Sequence, residues 1–225
     1  MDLTEGEVEK KTQKHKSSIL ALNDPLVRRQ LKKMKQHSPW FLGAVTMLQV
    51  VILGIELFVN WKNTGSVILT SPFNYMIGPD TGPLILFGAR FLPCMKQNTG
   101  YDTAGVTFAC PGGLLPLGSN STCTLAQACS MPLVGFNTNN PAQWYRFIIP
   151  IFLHGGIVHL LLNLSFQVNV GFQLEREIGF LRMGLIYMIA GIGGFIFGAP
   201  LSDISSTSVG ASGSLYGISL AHSKD

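Results

Sequence analysis

The sequence predicts an all-α protein that crosses a membrane several times. Hydrophobic residues make up 47% of the 225 residues and charged residues only 12%, whereas soluble domains carry about 25% charged residues. Three apolar segments also approach the roughly 20 residues that a helix needs to cross the hydrocarbon core. Composition and segment length therefore both exclude an ordinary soluble domain.

The first 38 residues form a polar, basic segment that we expect to be a mostly disordered cytosolic tail. Basic residues beside a first span mark the cytosolic side, so the N-terminus is predicted to be cytosolic. Contact with anionic lipid would suit this tail, and nothing in it indicates nucleic-acid binding. Nine of the 16 basic residues of the chain lie in it: Lys10, Lys11, Lys14, Lys16, Arg28, Arg29, Lys32, Lys33 and Lys35.

The first predicted span runs from Phe41 to Val59. Trp40 and Trp61 bracket it, as is typical of aromatic anchors at the membrane interface. Glu56 lies near the far end of this span, where a carboxylate can reach water or a partner, and we expect an interface residue in preference to a proton relay.

A long loop over residues 60–146, rich in glycine, proline, asparagine, serine and threonine, follows the first span. One crossing from the cytosol places this loop in the lumen, where disulfides persist. Asn120 begins a glycosylation sequon on that side. The apolar run from Pro83 to Phe91 is too short to span and is expected in the interface or as a re-entrant segment. The loop holds four cysteines, whose three alternative pairings the sequence leaves open: Cys94, Cys110, Cys123 and Cys129.

Further spans are predicted over residues 147–168 and 180–199, and a fourth apolar segment begins at Ser212. Ala190, Gly194 and Gly198 have the small-xxx-small spacing of close helix packing. The fourth segment reaches only Ala221, about 15 Å of helix or half the hydrocarbon core, before a short polar end at residues 222–225. We therefore expect three full spans and the start of a fourth.

The second and fourth segments carry polar residues, which are unfavourable in lipid and therefore indicate a structural or functional role. His159 and Asn163 are four residues apart, so they share a helix face. Ser212 stands where a loop becomes a helix, and both segments meet the lumen at this end. These three side chains are therefore expected around one water-accessible cavity. Interhelical hydrogen bonding is the plainer alternative for any one of them. The glycines that allow close backbone approach around Ser212 are Gly210, Gly213 and Gly217.

Three strings together resemble the rhomboid family of intramembrane serine proteases. They are Trp144-Tyr145-Arg146, the pattern His154-x4-His159-x3-Asn163, and Gly210-Ala211-Ser212-Gly213. The strings at residues 74–79 and 88–90 look like the eukaryotic secretory-pathway branch, of fungal type. The resemblance covers roughly residues 39–221 and implies the N-terminal part of a rhomboid-like helical bundle.

The resemblance implies a role for each matched residue. Ser212 would be the nucleophile, while His159, Asn163 and the Ser212 N–H would stabilise the oxyanion. His154 would shape the site, and Tyr216 would pack on the general-base histidine. Arg146 and Glu175 would be structural, anchoring the luminal loop and the turn at Gly171–Gly179, and either Trp144 or Tyr145 takes the aromatic position. No metal or cofactor is implied.

The family's base lies on a sixth helix, in a Gly-x3-small-His context that this sequence does not hold. His222 lies about 15 Å from Ser212 along the same segment, beyond hydrogen-bond reach. We therefore expect the N-terminal part of a serine endopeptidase that cleaves single-span membrane proteins near their luminal ends. Its location would be the Golgi, an endosome or the plasma membrane. A non-catalytic binder of transmembrane clients is the main alternative, and a channel or transporter component is a weaker one.

Overall fold

The computed structural model describes residues 36–96, 107–118, 122–131 and 142–223. Almost all of the basic tail predicted over residues 1–38 lies outside the described residues, and so does the glycosylation candidate Asn120.

Three helical segments of the described chain are long and apolar enough to cross a membrane. Helix α1 (Trp40–Thr64) is the first, the segment Ile157–Ile178 is the second, and Phe180–Gly198 is the third. The all-α, polytopic fold class is thereby confirmed. α1 ends where Gly65 takes a left-handed φ of 76°, which a residue without a Cβ adopts at little cost.

The second span begins about ten residues later than the sequence predicted. Residues 144–152 instead form two 3-10 turns, Trp144–Phe147 and Ile149–Phe152. Gly156, at φ 151°, separates these turns from the helix that follows. The segment Gly171–Gly179, expected as a turn, is mostly helical, because only Gly179 leaves the helical conformation. The first difference arises because an apolar run does not show where helical hydrogen bonding begins.

The described loop between the first two spans folds over one end of the bundle. Its apolar run is buried within the protein, not in the membrane interface, since residues 82–91 are all buried. The two disulfides are Cys94–Cys129 and Cys110–Cys123. The elements of this loop, in order, are α2 (Thr81–Leu86), β1 (Arg90–Phe91), the 3-10 turn Leu92–Cys94, β2 (Thr107–Ala109), β3 (Thr122–Thr124) and α3 (Leu125–Cys129). β2 and β3 pair antiparallel, with Thr107 opposite Thr124.

The second span itself is built from α4 (Ile157–Phe166), a π-helical turn (Gln167–Gly171) and α5 (Phe172–Ile178). The third is α6 (Phe180–Gly198). β4 (Thr207–Ser208) then pairs antiparallel with β1, with Ser208 opposite Arg90. α7 (Ser212–His222) follows and begins at the predicted residue.

The apolar core lies where α1, α5, α6 and α7 meet, with Leu42, Leu174, Met183 and Ile218 fully or almost fully buried. Glu56 of α1 is also completely buried, so the expectation that it reaches the interface is wrong. A carboxylate on a helix turns inward or outward according to its neighbours, which a hydropathy pattern does not reveal.

Candidate active site

Ser212 is the first residue of α7, directly after a sharp backbone turn. Gly210 takes a φ of 123°, and a Cβ there would lie 2.7 Å from Cε1 of His159. Only glycine fits this position without displacing the imidazole. The Gly210 N–H donates to the Pro150 carbonyl at 2.9 Å, which fixes the turn to the second 3-10 segment. The N–H groups of the first turn of α7 have no partner within the helix, as at any helix N-terminus.

Small residues let α7 lie directly against α6. The Cα of Gly194 is 3.5 Å from the position that a Gly213 Cβ would occupy, and a Gly217 Cβ would collide with the Cβ of Ala190. The predicted packing stripe is therefore in contact at Ala190 and Gly194. Gly198, the third member, has open space around its Cα instead.

A cavity of about 280 Å³ opens beside this contact. Ser212 lines it together with the arginine of β1, Arg90. Tyr216, one turn after Ser212, also lines the cavity and is 74% exposed. The remaining lining residues are mostly small: Gly191, Gly194, Phe195, Gly198, Ser202, Ser208, Val209, Gly210 and Gly213.

His154, His159 and Asn163 gather on the α4 side of Gly210. The rings of His154 and His159 have centroids 5.3 Å apart. Nδ2 of Asn163 is buried without a hydrogen-bond partner in the described structure, 3.7 Å from the position of a Gly210 Cβ. The residues that line the Ser212 cavity do not include these three side chains. Gly210 thus stands between the two groups, which the sequence had expected around one cavity.

The hydrogen bonds of His159 indicate its tautomer. Nδ1 accepts from the Gly155 N–H at 3.4 Å, so the proton of the neutral ring resides on Nε2. Nε2 is the atom that faces Gly210, 2.9 Å from its Cβ position. Two donors, Nε2–H of His159 and Nδ2–H of Asn163, therefore approach the backbone just before Ser212.

His154 is completely buried, and neither ring nitrogen has a partner among the described residues. Burial, assisted by the neighbouring His159, lowers the pKa of His154 to about 3. The ring is therefore neutral at physiological pH and cannot serve there as a cationic acid.

The loop string at residues 74–79 holds the N-terminus of α4. The N–H groups of Ile157 and Val158 donate to the carbonyls of Ile77 and Met76 at 3.0 and 3.1 Å. Asn74 adds a bond from Nδ2 to the Gly155 carbonyl at 3.3 Å. These bonds satisfy helix-end donors that would otherwise be free, and they fix the turn of helix that carries His159.

Arg146 is the central anchor of the loop between the first two spans. Its guanidinium donates to the carbonyls of Ile85 and Ala89, both at 2.9 Å. It also donates to Oε1 of Gln143 at 2.6 Å and to the carbonyl of Cys129 at 3.4 Å. Burial lowers the pKa of Arg146 to about 10, which still leaves it charged at neutral pH.

Glu175 lies inside α5 and not in a turn. Its carboxylate accepts from the N–H groups of Phe41 and Leu42, at 2.8 and 2.9 Å. A negative charge at the first turn of a helix is favourable, so Glu175 ties the second span to the start of α1. Trp144 is 67% exposed and touches Tyr145 edge to face, while Tyr145 is half-buried.

Comparison with known proteins identifies a rhomboid domain over residues 141–224. A rhomboid-type serine protease 2 from Emericella nidulans is 40% identical over 185 residues, which are 77% of this chain and 36% of that protein. RHOMBOID-like protein 1 from Arabidopsis thaliana is 29% identical over 84% of this chain and 40% of its own length. Rhomboid-related protein 3 from Homo sapiens is 40% identical over 36% of this chain and 20% of its own length. The chain thus spans about two fifths of the first two of these relatives.

Proposed function

The chain belongs to the rhomboid family, and on that premise we propose that it carries the nucleophile and the oxyanion site of an intramembrane serine endopeptidase. Ser212 is the proposed nucleophile. It stands at an exposed helix start beside a cavity, where a substrate carbonyl can approach its hydroxyl.

The observation that carries this proposal is the free amide of Asn163. A buried N–H donor without an acceptor costs about 1–3 kcal/mol, and a folded protein keeps such a group where it has a use. Nδ2 of Asn163 lies beside the turn that positions Ser212. For this role, the negative oxygen of a tetrahedral intermediate at Ser212 must lie on the α4 side of Gly210, toward that donor.

The proposed reaction proceeds in two steps. A base removes the proton of the Ser212 hydroxyl as the oxygen attacks the scissile carbonyl carbon. Asn163, His159 and the Ser212 N–H stabilise the oxyanion, the C–N bond breaks, and the base returns the proton to the leaving amine. Water then hydrolyses the acyl-enzyme by the same path in reverse.

The base is proposed to be a histidine on a helix that packs against the exposed face of α7. Ser212 and Tyr216 share that face because they are four residues apart, and both are exposed. An aromatic ring next to the nucleophile would hold the imidazole of such a helix in position. His222 lies at the other end of α7, too far along the helix for this task.

The proposed substrates are single-span membrane proteins, cut near their luminal ends. The three candidate spans and the basic tail support a multi-pass protein with a cytosolic N-terminus. The Cys94–Cys129 disulfide follows β1 in the chain, and β1 pairs with β4 shortly before the start of α7, which favours a site facing an oxidising compartment of the secretory pathway.

The test is covalent labelling of the full-length protein in membranes with a fluorophosphonate probe. Peptide mapping should place the label on Ser212, and Ser212→Ala should lose both the label and the cleavage of a co-expressed single-span substrate. Ser165→Ala is the matched control, because Ser165 is exposed on α4 and is not among the residues that line the Ser212 cavity, so it should leave both unchanged.

A full-length protein that folds, binds a transmembrane client and yet never labels at Ser212 would contradict the proposal. That result would leave a non-catalytic binder.

A further inference from the structure

Arg90 is a buried cation whose hydrogen bonding is incomplete. Only 3% of its surface is exposed. Nη2 donates to the hydroxyl of Ser202 at 2.8 Å, but Nε and Nη1 are buried with no acceptor among the described residues. A charge taken out of water without an ionic partner costs several kcal/mol. Local structure does not account for the free donors of Arg90.

Arg146 shows what a purely structural arginine looks like in the same protein. Each of its three nitrogens has an acceptor, and these are three carbonyls and one amide oxygen. Arg146 therefore fastens the loop and has little capacity left for a ligand. Arg90 has the opposite balance, because within the described residues a single neutral hydroxyl holds it and two of its nitrogens have no acceptor.

The neighbours of Arg90 fix its position beside the Ser212 cavity. Arg90 and Ser212 line the same space of about 280 Å³. Pairing of β1 with β4 holds the Arg90 backbone opposite Ser208, and Ser202, bonded to the Gly198 carbonyl at 2.7 Å, holds the guanidinium. The cation is thus fixed from two sides at the rim of the cavity that contains the nucleophile.

We propose that Arg90, with Ser202 and Ser208 beside it, forms a subsite for a carboxylate: an aspartate or glutamate side chain in the luminal segment of the substrate, next to the bond that Ser212 attacks. The proposal rests on the function proposed above and adds a specificity determinant to it. A bound carboxylate would supply the counter-charge and the acceptors that Arg90 lacks, and charge-assisted bonds of this kind are short and strong.

Two other occupants fit less well. A main-chain carbonyl would accept hydrogen bonds but would leave the buried charge uncompensated. A lipid phosphate would compensate it, yet whatever fills this cavity lies against Ser212, and the space is small for a two-chain lipid. Asp203, beside Ser202 in the chain, lines a separate cavity and forms no hydrogen bond with Arg90 in the described structure.

The experiment measures binding, so that it does not depend on catalysis. The full-length protein with Ser212→Ala is placed in nanodiscs. Nine-residue peptides of alanine, glycine and serine carry one aspartate at each position in turn, and every peptide has an asparagine twin. We expect one position at which the aspartate peptide binds at least about tenfold more tightly, the difference that a close charge pair produces.

Arg90→Gln should reduce this preference to less than about twofold while the asparagine peptides bind as before. Arg90→Lys keeps the charge with fewer donors and should retain part of the preference. If Arg90→Gln does not fold, Arg90→Lys decides: an undiminished preference in that variant overturns the proposal.

Equal binding of aspartate and asparagine peptides at every position would also overturn it. So would an Arg90 dependence seen only with phosphatidylglycerol in the nanodisc, since that result assigns Arg90 to lipid phosphate. An unreactive Ser212 in a protein that still shows the Arg90-dependent preference would refute the proposed function and leave the carboxylate subsite standing. A reactive Ser212 with no preference would refute the subsite alone.

Discussion

Two clusters of buried polar side chains occupy the bundle, and they differ in how completely they are bonded. In the first, Gln49 donates from Nε2 to the Tyr187 hydroxyl at 2.9 Å, and Tyr187 donates to Oε1 of Gln167 at 3.4 Å. Gln167 donates back to Oε1 of Gln49 at 3.3 Å and to Thr46 at 2.8 Å. The result is a closed ring that joins α1, the π-helical turn and α6. We call it the closed cluster.

The second cluster consists of His154, His159 and Asn163, with the Glu56 carboxyl next to the backbone of His154. We call it the open cluster. Both nitrogens of His154, both oxygens of Glu56 and Nδ2 of Asn163 are buried without a partner among the described residues. These groups carry a cost that the closed cluster avoids.

The comparison separates polar groups that stabilise the bundle from groups that remain available for a ligand. A complete network stabilises the packed helices and fixes their register. An incomplete one lowers stability until something binds, and sites that must stabilise a transient charge accept that cost. Mutations in the closed cluster should therefore change stability, and mutations in the open cluster should change chemistry.

The largest expected effect is that of Asn163→Ala. Removing one oxyanion donor typically lowers the rate about 100- to 1,000-fold, and we expect that loss in fluorophosphonate labelling of Ser212 and in substrate cleavage. The free energy of unfolding should change by less than about 1 kcal/mol, because Nδ2 has no hydrogen-bond partner among the described residues to lose. Asn169→Ala is the matched control, since Asn169 is exposed and its amide donates to the Ser165 carbonyl of its own helical segment. A rate within threefold of wild type would place Asn163 outside the chemistry.

The next largest expected effect is that of Gln167→Ala in the closed cluster. It removes partners from Gln49, Tyr187 and Thr46 together, and we expect a loss of about 3 kcal/mol in the free energy of unfolding. Detergent-driven unfolding of the purified protein would measure it. The labelling rate of the molecules that remain folded should be unchanged. Gln173→Ala, on the exposed side of α5, should stay within about 0.5 kcal/mol of wild type, and an equal loss in both variants would argue against a special role for the ring.

The smallest expected effect is the contribution of His154 to the pH dependence of the free energy of unfolding. The folded pKa is lowered to about 3 by burial and by His159, whereas an unfolded histidine titrates near 6.5. The unfolded state therefore binds the proton first, so this contribution is complete above about pH 6.5 and is lost as the pH falls. Between pH 7 and pH 5 the loss is about 2 kcal/mol. His154→Gln should flatten the pH dependence of unfolding by that amount, and parallel curves for the two proteins would contradict the assignment.

Some features needed the tertiary structure because they depend on partners far away in the chain. The sequence left three cysteine pairings open, and the folded loop determines which sulfurs meet. Glu56 gave the wrong expectation, because the direction in which a helical carboxylate points depends on what packs against it. The sequence assigned no role to Arg90, which stood only within a string that resembles other rhomboids. It did carry a signal for Gln49 and Gln167, because amides inside apolar segments need hydrogen-bond partners, but that signal was not used.

Other features followed from the sequence alone because they have local causes. Apolar composition determines that the chain enters lipid, and the glycine-flanked serine marks the start of α7. Small residues four positions apart predict close helix packing, although the sequence does not say that α7 is the partner of Ala190 and Gly194. The sequence could identify His159, Asn163 and Ser212 as the residues to examine. Only the fold decides that Gly210 lies between them and that Arg90 faces the cavity, since both facts depend on contacts between segments that local preferences do not encode.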